Sequence, residues 1–249
     1  MSRELHPLVA AGFAEDGERY DAARPGYSPA VIEALELGAG ARVLDLAAGT
    51  GQLTKALRAA GHPVVAVEPL AAMRALIEAD EVLDGTAEAI PLPDAGVDAV
   101  TVGDAWHWFD GRRAAGEVAR VLRPGGTLAL LWRHPQPPED GSAWFATLAA
   151  AVAGIVGDHP GFTADQGRVA LAAHPAFGPL EHRAVEEVRA TDAAGVIAYL
   201  GTLSPVAAMS PEDRRRFLTP IAAELPRGSL SQRFVVHIHR AVRRPAARG

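Results

Sequence analysis

The chain has 249 residues, of which 49% are hydrophobic and 22% are charged. This is enough apolar sequence to bury the core of one domain with a modest insertion, and it excludes a disordered or fibrous protein. The formal net charge of −6 would repel a phosphate backbone, so we expect no nucleic-acid partner. The absence of cysteine excludes disulfides, thiolate chemistry and cysteine-ligated zinc.

The start of the chain carries no targeting signal. Residues 1–14 contain charged side chains and lack the apolar core of a signal peptide, and no later segment is apolar over the length of a membrane span. We therefore expect a cytoplasmic protein, monomeric or homodimeric, that acts without a membrane. The Arg-rich stretch 240–248 is interpreted as a solvated tail.

Strand and helix patterns alternate along the first half of the chain. Ser28-Pro29 and Gly38 flank a short predicted helix over 30–37. Further predicted strands lie at 41–46, 64–67, near Val82, 97–102 and 127–132, with helices at 52–60, 70–78 and 112–122 and a turn at 123–126. This alternation predicts a Rossmann-like, doubly wound α/β fold with a mostly parallel sheet.

The pattern changes after residue 134. The sequence His134-Pro135-Gln136-Pro137-Pro138 is predicted to stop regular structure, and an Ala-rich helical insertion or cap is expected over 142–156. Late strands at 180–188 and 233–238, separated by helices at 193–200 and 211–225, would close the sheet with an antiparallel C-terminal strand. We expect a single domain made of an N-terminal helical lid (1–40), a cofactor-binding core (41–133), an acceptor-site insertion (134–200) and a C-terminal helix and strand (201–249).

A glycine turn follows the first predicted strand. The sequence Asp45-Leu46-Ala47-Ala48-Gly49-Thr50-Gly51 stands where an open α/β sheet binds ligands, at the carboxyl ends of its strands. Gly49 and Gly51 would let a cofactor lie against bare backbone. Glu68 ends the second strand, where a carboxylate can accept hydrogen bonds from both hydroxyls of a ribose. Together these features predict a nucleoside site.

The missing third glycine narrows the choice of nucleotide. A dinucleotide fingerprint would place glycine where Thr54 stands, so a pyrophosphate is disfavoured. S-adenosylmethionine (SAM) has no phosphate to seat on the helix N-terminus, and its amino group would lie near Asp45.

Four segments in a fixed order carry a resemblance to a known family. They are 43–51, Val67-Glu68-Pro69 with Met73, Gly85-Thr86-Ala87-Glu88 followed by 90–94, and Leu122-Arg123-Pro124-Gly125-Gly126. Over about residues 18–133 the chain resembles the class I SAM-dependent methyltransferases of the methyltransferase type 11 group. The segments 20–27 and 105–110 are similar to the small-molecule branch that includes trans-aconitate methyltransferase-like proteins.

The resemblance implies SAM as cofactor and S-adenosylhomocysteine (SAH) as product. Ala47 replaces the first glycine of the common motif, and Thr86 stands where many relatives carry Asp, which leaves adenine to the Ala87 backbone. The residues that it places at the cofactor are Tyr20, Arg24, Asp45, Ala47, Gly49, Gly51, Glu68, Pro69, Met73, Thr86, Ala87, Glu88 and Asp104.

An aromatic segment follows the fourth strand and should lie at the mouth of the cofactor site. Within it, Trp106 and Trp108 could wall the acceptor, and Asp104 and His107 are the candidate catalytic residues. His107 could act as base for an alcohol, whereas a carboxylate acceptor needs no deprotonation. The alternative is that the aromatic rings pack in the core and His107 is merely hydrogen-bonded.

Further candidates lie outside this segment. Tyr20, Arg24 and Tyr27 have the charge and donors for a carboxylate, and the resemblance implies that they form an N-terminal lid over the methionine end of SAM; the alternative is a surface Arg beside Tyr residues at a helix entry. Arg133 is a candidate acceptor-binding residue. The histidines His134, His159 and His174 could line the pocket as well. None of them shows metal-ligand spacing, so no metal is expected.

The sequence therefore predicts methyl transfer from SAM to a small molecule, with a carboxylate or hydroxyl acceptor slightly favoured. Gly103-Asp104-Ala105-Trp106 stands where base-amine methyltransferases carry Asn-Pro-Pro-aromatic, which weakens a nucleic-acid substrate further. Two alternatives stay open, an NAD-dependent oxidoreductase and a noncatalytic SAM-binding protein.

Overall fold

The computed structural model describes residues 17–138, 144–156 and 171–245. Its strands are β1 Val43–Leu46, β2 Val64–Val67, β3 Glu81–Leu83, β4 Val97–Gly103, β5 Leu122–Gln136, β6 Glu181–Thr191 and β7 Leu230–Val242. They form one sheet in the order β3-β2-β1-β4-β5-β7-β6. The strands β1 to β5 pair in parallel, and β7 is antiparallel to both β5 and β6. The predicted Rossmann-like sheet and its antiparallel C-terminal closure are confirmed.

Helices cover both faces of the sheet, which explains why β1 and β2 are buried along their whole length. The helices are α1 Gly17–Ala23, α2 Pro29–Ala34, α3 Gln52–Ala59, α4 Ala71–Arg74, α5 Gly111–Val121, α6 Trp144–Val156, α7 Ala193–Leu200, α8 Ser204–Ala207 and α9 Pro211–Glu224. On one face α2 and α3 pack through residues such as Val31 and Leu57, and on the other α5 packs through Val118. No helix in the described part of the chain combines the length and apolar character that a bilayer crossing requires.

Two predicted helices are shorter in the structure. The helix expected over 30–37 ends at Ala34, because Glu36 takes a left-handed conformation with φ +49°. The helix expected over 70–78 spans Ala71–Arg74. The chain then continues in tighter turns, where the Ile77 N–H donates to the Arg74 carbonyl three residues back.

Strand β5 is longer than predicted at both ends. Val97 of β4 pairs with Leu122 and Ala99 pairs with Thr127, so the Arg-Pro-Gly-Gly segment bulges out of a continuous strand. The prediction that regular structure stops at His134 was wrong, because β5 continues to Gln136 in register with β7. The β4 pairing ends at Leu131, and a proline is tolerated where a strand has a neighbour on only one side.

The segment 134–200, expected as an insertion, also contributes the end of β5 and the whole edge strand β6 to the sheet. The helical part of it is narrower and is centred on α6. There α6, α7 and α9 share a separate apolar cluster that includes Trp144, Leu148, Val196 and Ile221. This helical cluster forms the outer wall of the candidate site.

Candidate active site

A cavity of about 880 Å³ lies at the carboxyl ends of the parallel strands, a size typical of small-molecule sites. Its lining includes the predicted cofactor residues Tyr20, Arg24, Asp45, Ala47, Gly49, Glu68, Pro69, Met73, Thr86, Ala87, Glu88 and Asp104. Gly51 does not line it. Instead, Gly51 begins α3 at φ +85°, where an added Cβ would lie 3.4 Å from the Ile77 side chain.

The glycine turn is fastened to the carboxylate after β2. The Gly49 N–H donates to Glu68 Oε2 at 2.9 Å, and the Leu70 N–H donates to Oε1 at 2.9 Å. Gly49 has φ +58°, a conformation that favours glycine. Each carboxylate oxygen retains a further lone pair, so Glu68 can accept two more hydrogen bonds, as a ribose diol requires.

Burial changes the acidity of the two carboxyl groups at this turn. It raises the pKa of Glu68 to about 7, against the lowering effect of the hydrogen bonds from Leu70 and Gly49. It raises the pKa of Asp45 to about 6, opposed by hydrogen bonds that include one of 2.6 Å from Thr54 Oγ1. The Asp45 carboxylate thus fastens β1 to α3 in addition to its place in the cavity lining.

Two other residues of the turn bear on whether a ligand fits. Ala47 stands at φ +57°, which is disfavoured for a residue with a Cβ. The Thr50 hydroxyl is buried and has no hydrogen-bond partner within the described ranges, although Thr50 lines the cavity. A buried hydroxyl at a cavity wall is satisfied when a polar ligand group approaches it. Sequence reasoning named the turn but missed Thr50.

The cavity wall next to β3 is a tightly packed turn. Thr86 and Ala87 line the cavity, and an added Cβ at Gly85 would lie 2.6 Å from the Pro91 ring, so this turn packs tightly. Glu88 also lines it, but its Oε1 accepts the Asp110 N–H at 2.9 Å. The carboxylate of Glu88 is therefore used to position the segment that leads into α5.

Arg24 is a largely buried cationic group that lines the cavity. Its guanidinium lies against the rings of Tyr20 at 5.1 Å and Tyr199 at 5.6 Å, and its Nη1 is 4.0 Å from Asp104 Oδ2. Its Nε is buried without a hydrogen-bond partner among the residues described. Because this Nε–H lacks an acceptor among the described residues, an anionic ligand group beside it would satisfy it. Tyr199, which α7 contributes, had no sequence signal that links it to Arg24.

Arg133 lines the cavity and is hydrogen-bonded to the N-terminal segment. Its side chain is 2% exposed, and its guanidinium donates to the carbonyls of Pro25 and Gly26 at 2.9 and 2.7 Å and to Glu187 at 3.1 Å. It also stacks on the Tyr27 ring at 4.2 Å. These contacts hold the N-terminal segment against the strand ends, and Arg133 also lines the cavity, so its acceptor-binding role stays a prediction.

The aromatic segment divides between core and cavity. Trp106 is 1% exposed, packs edge-to-face on Phe109 and does not line the cavity, so in this structure it lies in the core. The short 3-10 helix Trp106–Trp108 turns consecutive side chains in different directions. His107 and Trp108 face the cavity, with ring centroids 4.7 Å apart.

Asp104 and the other histidines complete the placement of the predicted residues. Asp104 has φ +51°, and its Oδ1 accepts the Arg133 N–H at 2.9 Å. His134 lines the cavity, whereas His174 packs on Phe177 away from it, and burial lowers the pKa of His174. His159 lies outside the described residues.

Comparisons with known proteins agree with this geometry. Residues 44–130 match the family model of the methyltransferase domain. An uncharacterized methyltransferase of Mycobacterium tuberculosis is 54% identical over 117 residues, which cover 45% of this chain and 48% of that protein. A methyltransferase-like protein of Schizosaccharomyces pombe is 28% identical over 228 residues, or 86% of this chain and 87% of that protein. A solved structure from Anaeromyxobacter dehalogenans, described as a type II methyltransferase, is 25% identical at a TM-score of 0.68 and covers 90% of this chain and 99% of its own.

The match thus spans about half the length of the Mycobacterium relative. The matched region contains the glycine turn, Glu68 and the wall at Ala87, and SAM is the cofactor of this family. The remaining lone pairs of the Glu68 carboxylate can accept hydrogen bonds from a ribose, and the buried Thr50 hydroxyl can pair with another polar group of such a ligand. In the matched domain, the fold and this site, the chain is similar to class I SAM-dependent methyltransferases.

Proposed function

We propose that this protein transfers the methyl group of SAM to a small-molecule acceptor and releases SAH, with a carboxylate or hydroxyl oxygen favoured as the nucleophile. The observation that carries the proposal is the continuity of the cavity. It begins at the glycine turn and Glu68, passes Asp104 and His107, and ends against α6. Cofactor and acceptor would therefore share one space.

Methyl transfer from SAM requires few catalytic side chains. When bound, SAM supplies an electrophilic methyl group whose C–S electron pair stays on sulfur as the acceptor oxygen bonds to carbon. The protein has to align the acceptor and exclude water. Trp108 walls the site, Arg24 balances an anionic group, and His107 takes the proton of a hydroxyl acceptor. A carboxylate acceptor is already deprotonated and needs no base.

Calorimetric titration with SAM, SAH and NADH tests the cofactor. Saturable SAH binding that weakens in Glu68→Gln, but not in the exposed control Glu33→Gln on α2, supports the proposal. Binding of NADH without SAH would favour the oxidoreductase alternative and refute methyl transfer.

Turnover separates an enzyme from a noncatalytic SAM-binding protein. Conversion of SAM to SAH with a panel of carboxylates and phenols supports methyl transfer, whereas tight SAH binding without turnover on any acceptor favours the binding protein. The cytoplasmic location, the monomeric or homodimeric state and the trans-aconitate-like branch stay predictions from the sequence.

A further inference from the structure

Helix α6 presents a wholly apolar face to the cavity. Its sequence from Trp144 to Val156 contains no charged residue. The side chains that line the cavity are Trp144, Phe145, Leu148, Ala149, Val152 and Ala153. They recur as adjacent pairs every four positions, which places them in one stripe along the helix. This set is called the α6 stripe below.

The walls that face the α6 stripe continue its apolar character. Leu200 at the end of α7 and Leu203 just before α8 line the cavity beside it, and Trp132 of β5 lines it from the sheet. The charged residue at this end, Arg233, forms an ion pair with Glu186 at 3.1 Å. The α6 end of the cavity therefore offers apolar surface, whereas the opposite end offers polar groups.

Part of the α6 stripe is open to solvent. Ala149 and Ala153 are exposed although they line the cavity, whereas Trp144 and Leu148 are anchored in the cluster with Leu200. A ligand with an apolar body would remove this surface from water, which is favourable in proportion to the area covered.

We propose that the acceptor is amphipathic, with an alkyl or aromatic body along the α6 stripe and a carboxylate or hydroxyl end beside Arg24 and His107. The proposal rests on the proposed function and narrows its substrate class. A small polycarboxylate would have to lose hydration against the α6 stripe, which carries no charged residue, and this is costly. The α6 stripe therefore disfavours the polar acceptors of the trans-aconitate-like branch.

A chain-length series tests this inference. The n-alkanoates from acetate to dodecanoate and the matching 4-alkylphenols are titrated calorimetrically into the protein, below their micelle concentrations, with SAH and without it. Each methylene that enters an apolar slot should raise affinity about threefold to fourfold. Trans-aconitate serves as the polar comparison and should bind more weakly than the longer alkanoates.

Two substitutions on the same helix give a matched pair. Ala149→Glu places a carboxylate on the α6 stripe, whereas Ala150→Glu places it at an exposed position outside the cavity lining. The first should flatten the chain-length dependence and the second should leave it as in the wild type. Similar thermal unfolding of the two variants excludes a general loss of structure.

A flat series in the wild type, absent binding of every chain length, or an unchanged slope in Ala149→Glu would overturn the inference. Loss of SAH binding by the wild type would refute the proposed function instead. Because the series is also run without SAH, the two failures are distinguishable.

Discussion

Replacement of Glu68 by glutamine separates the effect of the buried carboxylate on the free energy of unfolding from its effect on ligand affinity. Glu68 is 5% exposed, and both of its oxygens accept backbone N–H groups at 2.9 Å. Glutamine keeps the shape but has one acceptor oxygen. It therefore leaves either the Gly49 or the Leu70 N–H unsatisfied, which costs about 1–3 kcal/mol of folding free energy at every pH.

The pH dependence of folding stability favours the variant as pH rises. Burial raises the pKa of Glu68 from 4.5 to about 7, so the native state holds the proton more tightly than the unfolded chain does. Its contribution to stability is full below about pH 4.5 and is lost as pH rises through about 7, a loss of about 3 kcal/mol. Glu68→Gln lacks this loss. Relative to the wild type, the variant should gain about 2.5 kcal/mol of stability between about pH 5 and pH 8.

Urea unfolding at the two pH values measures the stability difference, and calorimetry at about pH 8 measures SAH affinity. We expect SAH binding to weaken about tenfold to hundredfold in Glu68→Gln, since hydrogen bonds to a charged acceptor contribute about 1.5–3 kcal/mol each. The exposed Glu33→Gln should change neither quantity. Parallel stability curves for wild type and Glu68→Gln, or unchanged SAH affinity, would refute the reasoning.

Three further substitutions test individual assignments. Ala47→Gly should raise the melting temperature by about 2–4 °C, because it removes a Cβ from a residue at φ +57°; an unchanged melting temperature would contradict this. Arg133→Lys loses the forked contacts to Pro25 and Gly26, so the free energy of unfolding in urea should fall by about 2 kcal/mol and chymotrypsin should cleave at Tyr27 faster. Equal cleavage rates would argue against the role of Arg133 in holding the N-terminal segment. Trp106→Phe should lower stability by about 1–2 kcal/mol without a change in acceptor KM, whereas Trp108→Phe should raise that KM, and the reverse pattern would reinstate Trp106 as a contact residue.

Local sequence patterns determined the strand and helix order and the cofactor half of the site. The helix over 193–200 and the strand over 64–67 have the same bounds in the structure, because periodicity and capping act over a few residues. The glycine turn and Glu68 were identified in the same way, since both stand at fixed places relative to β1 and β2. The full length of strand β5 was not predicted, because the pairing of its later residues depends on β7, about a hundred residues away.

The acceptor half was decided by tertiary packing. No local pattern distinguishes a Trp106 that turns into the core from a Trp108 that faces the cavity. The guanidinium of Arg133 is held by carbonyl groups far upstream in the chain, and Tyr199 reaches Arg24 only when α7 packs beside α1. The sequence by itself determined the fold class and the position of the glycine turn and Glu68 because short-range patterns encode them, whereas long-range contacts decided which side chains line the rest of the cavity.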